Sequence, residues 1–125
     1  MEGIDSHFSL QQACSVFTIS MWLAADQVAQ VEEIVRLRLT DLGTTPISAA
    51  ELSRCQRLLL NDYAFGTETP GQIAGLYGYY ATVAEAELAS RYPTYLQAQT
   101  PEKLQHIAQQ YLRPDCYTAV VLKPE

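Results

Sequence analysis

Apolar and polar residues alternate near the start of the chain: Ile4, Phe8 and Leu10 are set among Asp5, His7 and Ser9, the period-two pattern of a half-buried strand. A stronger strand is expected from Cys14 to Leu23. Phe17, Ile19, Met21 and Leu23 form one face, and Val16, Thr18, Ser20 and Trp22 the other, so both faces are candidates for partial cover. With Gln11-Gln12 as the turn, the simplest arrangement is an antiparallel hairpin. The period then lengthens to that of a helix. Asp26 is the candidate N-cap, Val28, Val31, Val35, Leu39 and Leu42 make the apolar stripe, and Gly43 is the expected stop. Glu32 and Arg36 stand four apart on its outer side, where they can pair.

The next helix organises the rest of the chain. Ser48 and Glu51 have the spacing of a capping box, and Ile47 and Leu52 that of a hydrophobic staple. Leu52, Cys55, Leu58 and Leu59 follow at helical spacing to about Tyr63, with Gly66 just beyond. Thr69, Pro70 and Gln72 repeat the start signal for a helix from Ile73 to about Ala81. Gly75 and Gly78 interrupt that helix, each at a cost of about 1 kcal/mol relative to alanine, so a closely packed neighbouring backbone is expected there. A further helical region runs from Ala84 to Gln97, with Pro93 starting a new turn or kinking it. The last helix opens at Thr100-Pro101-Glu102, carries the stripe Leu104, Ile107, Ala108, Tyr111 and Leu112, and ends at Arg113-Pro114. Residues 117–122 are apolar and β-branched and read as a final strand bounded by Lys123-Pro124. The expected order is β-β-α-α-α-α-α-β, an α+β domain with helices packed on a mostly antiparallel sheet, occupying residues 1–125 as a single domain.

Composition narrows the function classes. A net charge of −6 without a basic run disfavours nucleic acid, which needs clustered Lys and Arg. No stretch is long and apolar enough to read as a membrane span, and Met1-Glu2-Gly3 does not open a signal-peptide pattern, so a soluble chain is expected. Cys14, Cys55 and Cys116 are widely spaced and odd in number, which argues against a disulfide framework or a zinc knuckle. They are expected to be buried small hydrophobes in a reducing compartment.

No motif for catalysis emerges. The sequence contains no G-x-S-x-G, P-loop, G-x-G-x-x-G, His-x-x-Glu-His or His-Glu-x-x-His. His7 is expected to face solvent or pair across the hairpin. His106 lies on the polar side of its helix, four residues after Glu102, where an ion pair is as good a reading as half a metal site. Glu32, Glu33, Asp41, Glu51, Glu85 and Glu87 read as solvated faces and helix-dipole partners. Tyr77, Tyr79, Tyr80, Tyr92 and Tyr95 suit either inter-helix packing or a peptide- or ligand-binding surface. No catalytic, cofactor-binding or metal-binding residue is assigned.

Several segments resemble the pitrilysin/insulinase-type zinc peptidases, which include processing peptidases and their bacterial relatives. Ser15-Val16-Phe17-Thr18-Ile19-Ser20-Met21 followed by Asp26-Gln27-Val28 is similar to the family's central strand and following helix. Pro46-Ile47-Ser48-Ala49-Ala50-Glu51-Leu52-Ser53-Arg54 resembles its P-[IV]-S-x-x-E-L-x-R helix start. Tyr92-Pro93, Thr100-Pro101-Glu102-Lys103-Leu104 and the stretch from Ala108 to Asp115 resemble its closing helices, and residues 117–122 its last strand. The resemblance implies the C-terminal portion of one family domain, beginning after the inverted His-x-x-Glu-His and after the Arg and Tyr of the partner domain. No family catalytic residue maps onto this chain, which alone would be inactive.

The resemblance further implies a parent in which zinc-activated water attacks a peptide carbonyl with a glutamate as general base. This chain would support the wall of the substrate chamber. Its partners would be the remainder of the parent or, through an exposed sheet edge, another copy of itself. Two rival readings remain: a free-standing, non-enzymatic peptide- or protein-binding module, and, with little behind it, a small enzyme using Cys55 or His106.

Overall fold

Two reciprocal caps place helix starts where the sequence pattern puts them. In the computed structural model, which describes residues 3–123, the Ser48 hydroxyl accepts from the Glu51 N–H at 3.2 Å and the Glu51 carboxylate accepts from the Ser48 N–H at 3.3 Å. Thr69 and Gln72 do the same, at 3.3 and 2.9 Å. Each box satisfies amide groups that a helix start otherwise leaves open. Helix α2 therefore runs over Ala49–Phe65 and α3 over Pro70–Val83. The other elements are strands β1 (Gly3–Ser9) and β2 (Val16–Trp22), a short 3₁₀ turn (Ala25–Gln27), and helices α1 (Val28–Thr44), α4 (Leu88–Gln97) and α5 (Pro101–Tyr111). The class is α+β: among the described residues there are five helices and one small antiparallel sheet of β1 and β2.

The chain divides into two compact units. The first holds residues 3–6, Ile19–Ile47 and 101–123, and its body is α1 packed on α5. Val28, Val31, Val35 and Leu39 of the expected α1 stripe are half-buried, and Ala108 of α5 is buried. Gly43 is not the stop. It lies inside α1, and its carbonyl accepts from the side-chain amides of Gln109 at 2.6 Å and Gln105 at 3.3 Å. The helix ends instead at Thr45, where the backbone turns extended. Asp26 sits within the 3₁₀ turn and makes no side-chain cap. The outer-face pairing also shifts: Arg36 bridges Glu33 at 2.8 Å, while Glu32 accepts the Tyr117 hydroxyl.

The second unit comprises His7–Thr18 and Ser48–Thr100, with α4 packed on both α2 and α3. Leu52 and Ala89 are its buried residues. Fourth in the order, α4 starts at Leu88, later than expected, because α3 runs on to Val83 and residues 84–87 form a turn. Pro93 stands inside α4 and does not start a separate helix.

Three expectations fail for lack of neighbours. Residues 117–122 have strand-forming composition but join no strand; the sheet among the described residues has two strands only. Strand structure needs a hydrogen-bonding partner, which composition does not supply. A Cβ added at Gly75 or Gly78 would meet nothing within 4 Å, so no backbone packs against either glycine. All three cysteines are exposed free thiols, because the helix and loop faces that carry them are uncovered. Met1, Glu2 and Pro124, on which the reading of the start and of the last strand's boundary partly rests, lie outside the described residues.

Candidate functional site

Proline at position 93 removes the amide proton that would reach back four residues to Ala89. Ala89 has no exposed surface, so its carbonyl needs another donor. The Tyr63 hydroxyl supplies it, donating to Ala89 O at 2.7 Å. This bond draws the Tyr63 ring onto α4, where it stacks on Tyr92 with centroids 5.6 Å apart and planes at 23°. Gln56, on the same helix, secures the far end of α4 by donating to Leu96 O at 2.9 Å and Gln99 O at 3.4 Å.

Beside these two fasteners lies an open cleft of about 250 Å³, lined by residues of α2, α3 and α4. Leu59, Asp62 and Tyr63 line it from α2, Leu76 and Tyr80 from α3, and Tyr92 from α4. Burial, followed by the neighbouring Tyr79 and Tyr63, holds the Tyr80 phenol above its ordinary pKa. Burial, then Tyr80 and the Asp62 carboxylate, does the same for Tyr92. Both rings are therefore neutral hydroxyl donors and acceptors at physiological pH. The cleft joins an apolar floor to one carboxylate and three phenols, of which that of Tyr63 is taken up by Ala89 O. That set suits the amide or cationic end of an extended chain, with aromatic faces to pack its stem. Among the described residues that line it, none is a Ser, Cys or Lys nucleophile paired with a base.

Of the tyrosines singled out by sequence, Tyr80 and Tyr92 enter the cleft. Tyr77, Tyr79 and Tyr95 are exposed, Tyr79 donating to Leu10 O at 2.8 Å. Tyr63 and Asp62 are the members that motif reading missed. A usable signal was present: Pro93 frees the Ala89 carbonyl, and Leu59 and Tyr63 share a helix face four residues apart.

Four of the six acidic candidates are occupied in structural roles, and Glu85 and Glu87 are exposed. Glu51 closes its capping box, Glu33 pairs with Arg36, Glu32 accepts from Tyr117, and Asp41 lies 3.6 Å from Arg38. His7 is exposed on β1, where its carbonyl accepts from the Thr18 hydroxyl at 3.3 Å, and His106 is exposed on α5. Among the described residues no group of three or more His, Cys, Asp or Glu side chains is placed to hold a metal ion. Nor is any described helix long and apolar enough to cross a membrane.

No protein-family model matches the chain, and no curated protein matches it.

Proposed function

We propose that the chain is a non-catalytic, supporting part of a pitrilysin/insulinase-type zinc metallopeptidase-like protein, contributing to the wall that encloses a peptide substrate. The observation that carries this reading is the bareness of both units. Among the described residues only Leu52, Ala89 and Ala108 are buried, while Trp22, Phe65, Ile107 and Val120 stand exposed. Faces of that kind are made to be covered by further protein. The family assignment is supported by the succession of hairpin, α1 and the Ser48-capped helix, and by the quoted segments in that order. The zinc and its general base would belong to the parent and not to these residues.

An antibody raised against the chain tests the reading on a native-source lysate. The expected result is a band well above 13.9 kDa whose sequence contains His-x-x-Glu-His or a degenerate form of it. A band at 13.9 kDa would overturn it. That outcome would favour a free-standing peptide-binding module, for which the cleft of Asp62, Tyr80 and Tyr92 is the supporting observation. Fluorescent peptides carrying Lys or Arg, titrated against wild type and Asp62→Asn, would then be the deciding assay.

A further inference from the structure

Three helices of the second unit each bring a hydrogen-bond acceptor to the cleft. Asp62 of α2 supplies a carboxylate, and Tyr80 of α3 and Tyr92 of α4 supply phenol oxygens, with Leu59 and Leu76 as apolar surface beside them. Among the described residues that line it there is no Lys, Arg or His. α3 carries no charged residue, and Arg54, Arg57 and Arg91, the cations of α2 and α4, are exposed and outside the lining. Asp62 enters no ion pair among the described residues. Burial first, then Tyr80, then the Asp62 charge hold the Tyr92 phenol above its ordinary pKa, so that charge acts inside the cleft. A carboxylate set among aromatic rings without a cation of its own favours a cationic ligand.

We propose that the cleft takes the side chain of a lysine from an extended peptide, its ammonium on Asp62 and its stem along Leu59 and Leu76. The number of charges limits the ligand. One carboxylate balances one cation, which suits a single lysine and not a polyamine. Shape then separates lysine from arginine. A planar guanidinium slid between two facing rings needs two contact distances, about 7 Å in all. The Tyr63 and Tyr92 centroids lie 5.6 Å apart, so that slot is closed. The guanidinium fork matches one carboxylate, whereas an ammonium turns three donors toward three separate acceptors, the arrangement of Asp62, Tyr80 and Tyr92.

Exposure sets how the side chain enters. Leu59 and Asp62 are exposed, whereas Leu76, Tyr80 and Tyr92 are half-buried. The peptide backbone therefore stays in solvent while one long side chain lays its apolar stem into the cleft. The inference rests on the use of the cleft for peptide, in a chamber wall or on a free-standing module, and not on the zinc-peptidase assignment.

Amide NMR of the isotope-labelled 125-residue chain, titrated with capped tripeptides, tests it. Capped Ala-Lys-Ala is expected to give saturable shifts at residues 59–63, 76–80 and 92, with an affinity about tenfold above that of capped Ala-Arg-Ala. Replacing the lysine by norleucine or Nε-acetyl-lysine should abolish the shifts. Asp62→Asn, at an exposed position, is expected to lower the affinity about tenfold with helical circular dichroism unchanged. Tyr80→Phe should lower it by less. Lysine and arginine peptides that bind equally overturn the lysine assignment and leave a peptide-binding cleft standing. No shift with any peptide overturns both. Affinity that survives Asp62→Asn overturns the site, and n-butylamine binding as tightly as the tripeptide overturns the peptide as the ligand.

Discussion

The two units are fastened by similar bonds with different consequences. In both, a long polar side chain of one helix donates to a backbone carbonyl of another. In the second unit the carbonyl is that of Ala89, wholly buried and stripped of its i+4 helical donor by Pro93, and the Tyr63 hydroxyl donates to it. In the first unit it is the carbonyl of Gly43, part-exposed and shared by Gln105 and Gln109. A buried acceptor with one donor is a single point of failure. A part-exposed acceptor with two donors has a spare, and water stands behind both. Where little apolar surface is buried, fasteners of this sort decide how helices sit.

The largest expected effect lies outside that contrast and calibrates it. Leu52→Ala removes the buried anchor of α2 and is expected to destabilise the second unit by about 2–5 kcal/mol, read as lost hydrogen-exchange protection in α2 and α4. Tyr63→Phe deletes one oxygen and leaves the Ala89 carbonyl without a donor, an expected loss of about 1–3 kcal/mol in urea denaturation. Gln109→Ala in the first unit leaves Gln105 in place and should lose less than about 1 kcal/mol. Equal losses from the two substitutions would break the comparison. Gly75→Ala works in the opposite direction: open space surrounds its Cβ, so α3 should gain up to about 1 kcal/mol in thermal melts.

The smallest effect is in the titration of the phenols. Tyr80 and Tyr92 have their pKa raised chiefly by burial, whereas Tyr117 has its pKa raised first by donating to Glu32, then by burial and the Glu32 charge. A pKa raised in the folded state stabilises the fold below the ordinary phenol value of about 10 and ceases to do so as pH rises through the raised value. Both units should therefore weaken in alkali. Salt separates them: tyrosinate absorbance should show Tyr117 moving back toward its ordinary value as ionic strength rises, with Tyr80 and Tyr92, held up chiefly by burial, moving less. Asp115 shows the reverse sign. Its hydrogen bond from Arg113 holds its pKa down, so its contribution is present above the ordinary carboxylate range and vanishes as pH falls through the lowered value.

What the sequence made legible was local. The Ser48–Glu51 and Thr69–Gln72 boxes lie within one helical turn, and their geometry follows from spacing alone. The α1 and α5 stripes were readable in part: Val28, Val31, Val35, Leu39, Leu104, Ala108 and Leu112 are covered at least halfway, whereas Leu42, Ile107 and Tyr111 stand exposed. The failures were all matters of what stands opposite. Residues 117–122 have strand propensity without a strand beside them, Gly75 and Gly78 have room without an occupant, and Cys14, Cys55 and Cys116 have thiols without a cover. The Glu32–Arg36 pairing failed for a subtler reason. Position i+3 offered Arg36 a closer carboxylate in Glu33, and Tyr117 from far along the chain claimed Glu32. The cleft was half legible: Tyr80 and Tyr92 were named, but Tyr63 and Asp62 became visible only once α4 was placed over α2.

The way the units divide the chain sets an order in time. The helices of the second unit are consecutive, all drawn from 48–100, and two of them begin with caps that need nothing beyond their own first turn. The first unit is interrupted: α1 is synthesised before that whole stretch and α5 after it. As the chain leaves the ribosome, α2, α3 and α4 can settle against one another while the stripe of Val28, Val31, Val35 and Leu39 waits uncovered for its partner. A pause in translation within 48–100 would leave α1 as the nascent chain's exposed hook, and chaperones should bind there, releasing it when α5 emerges.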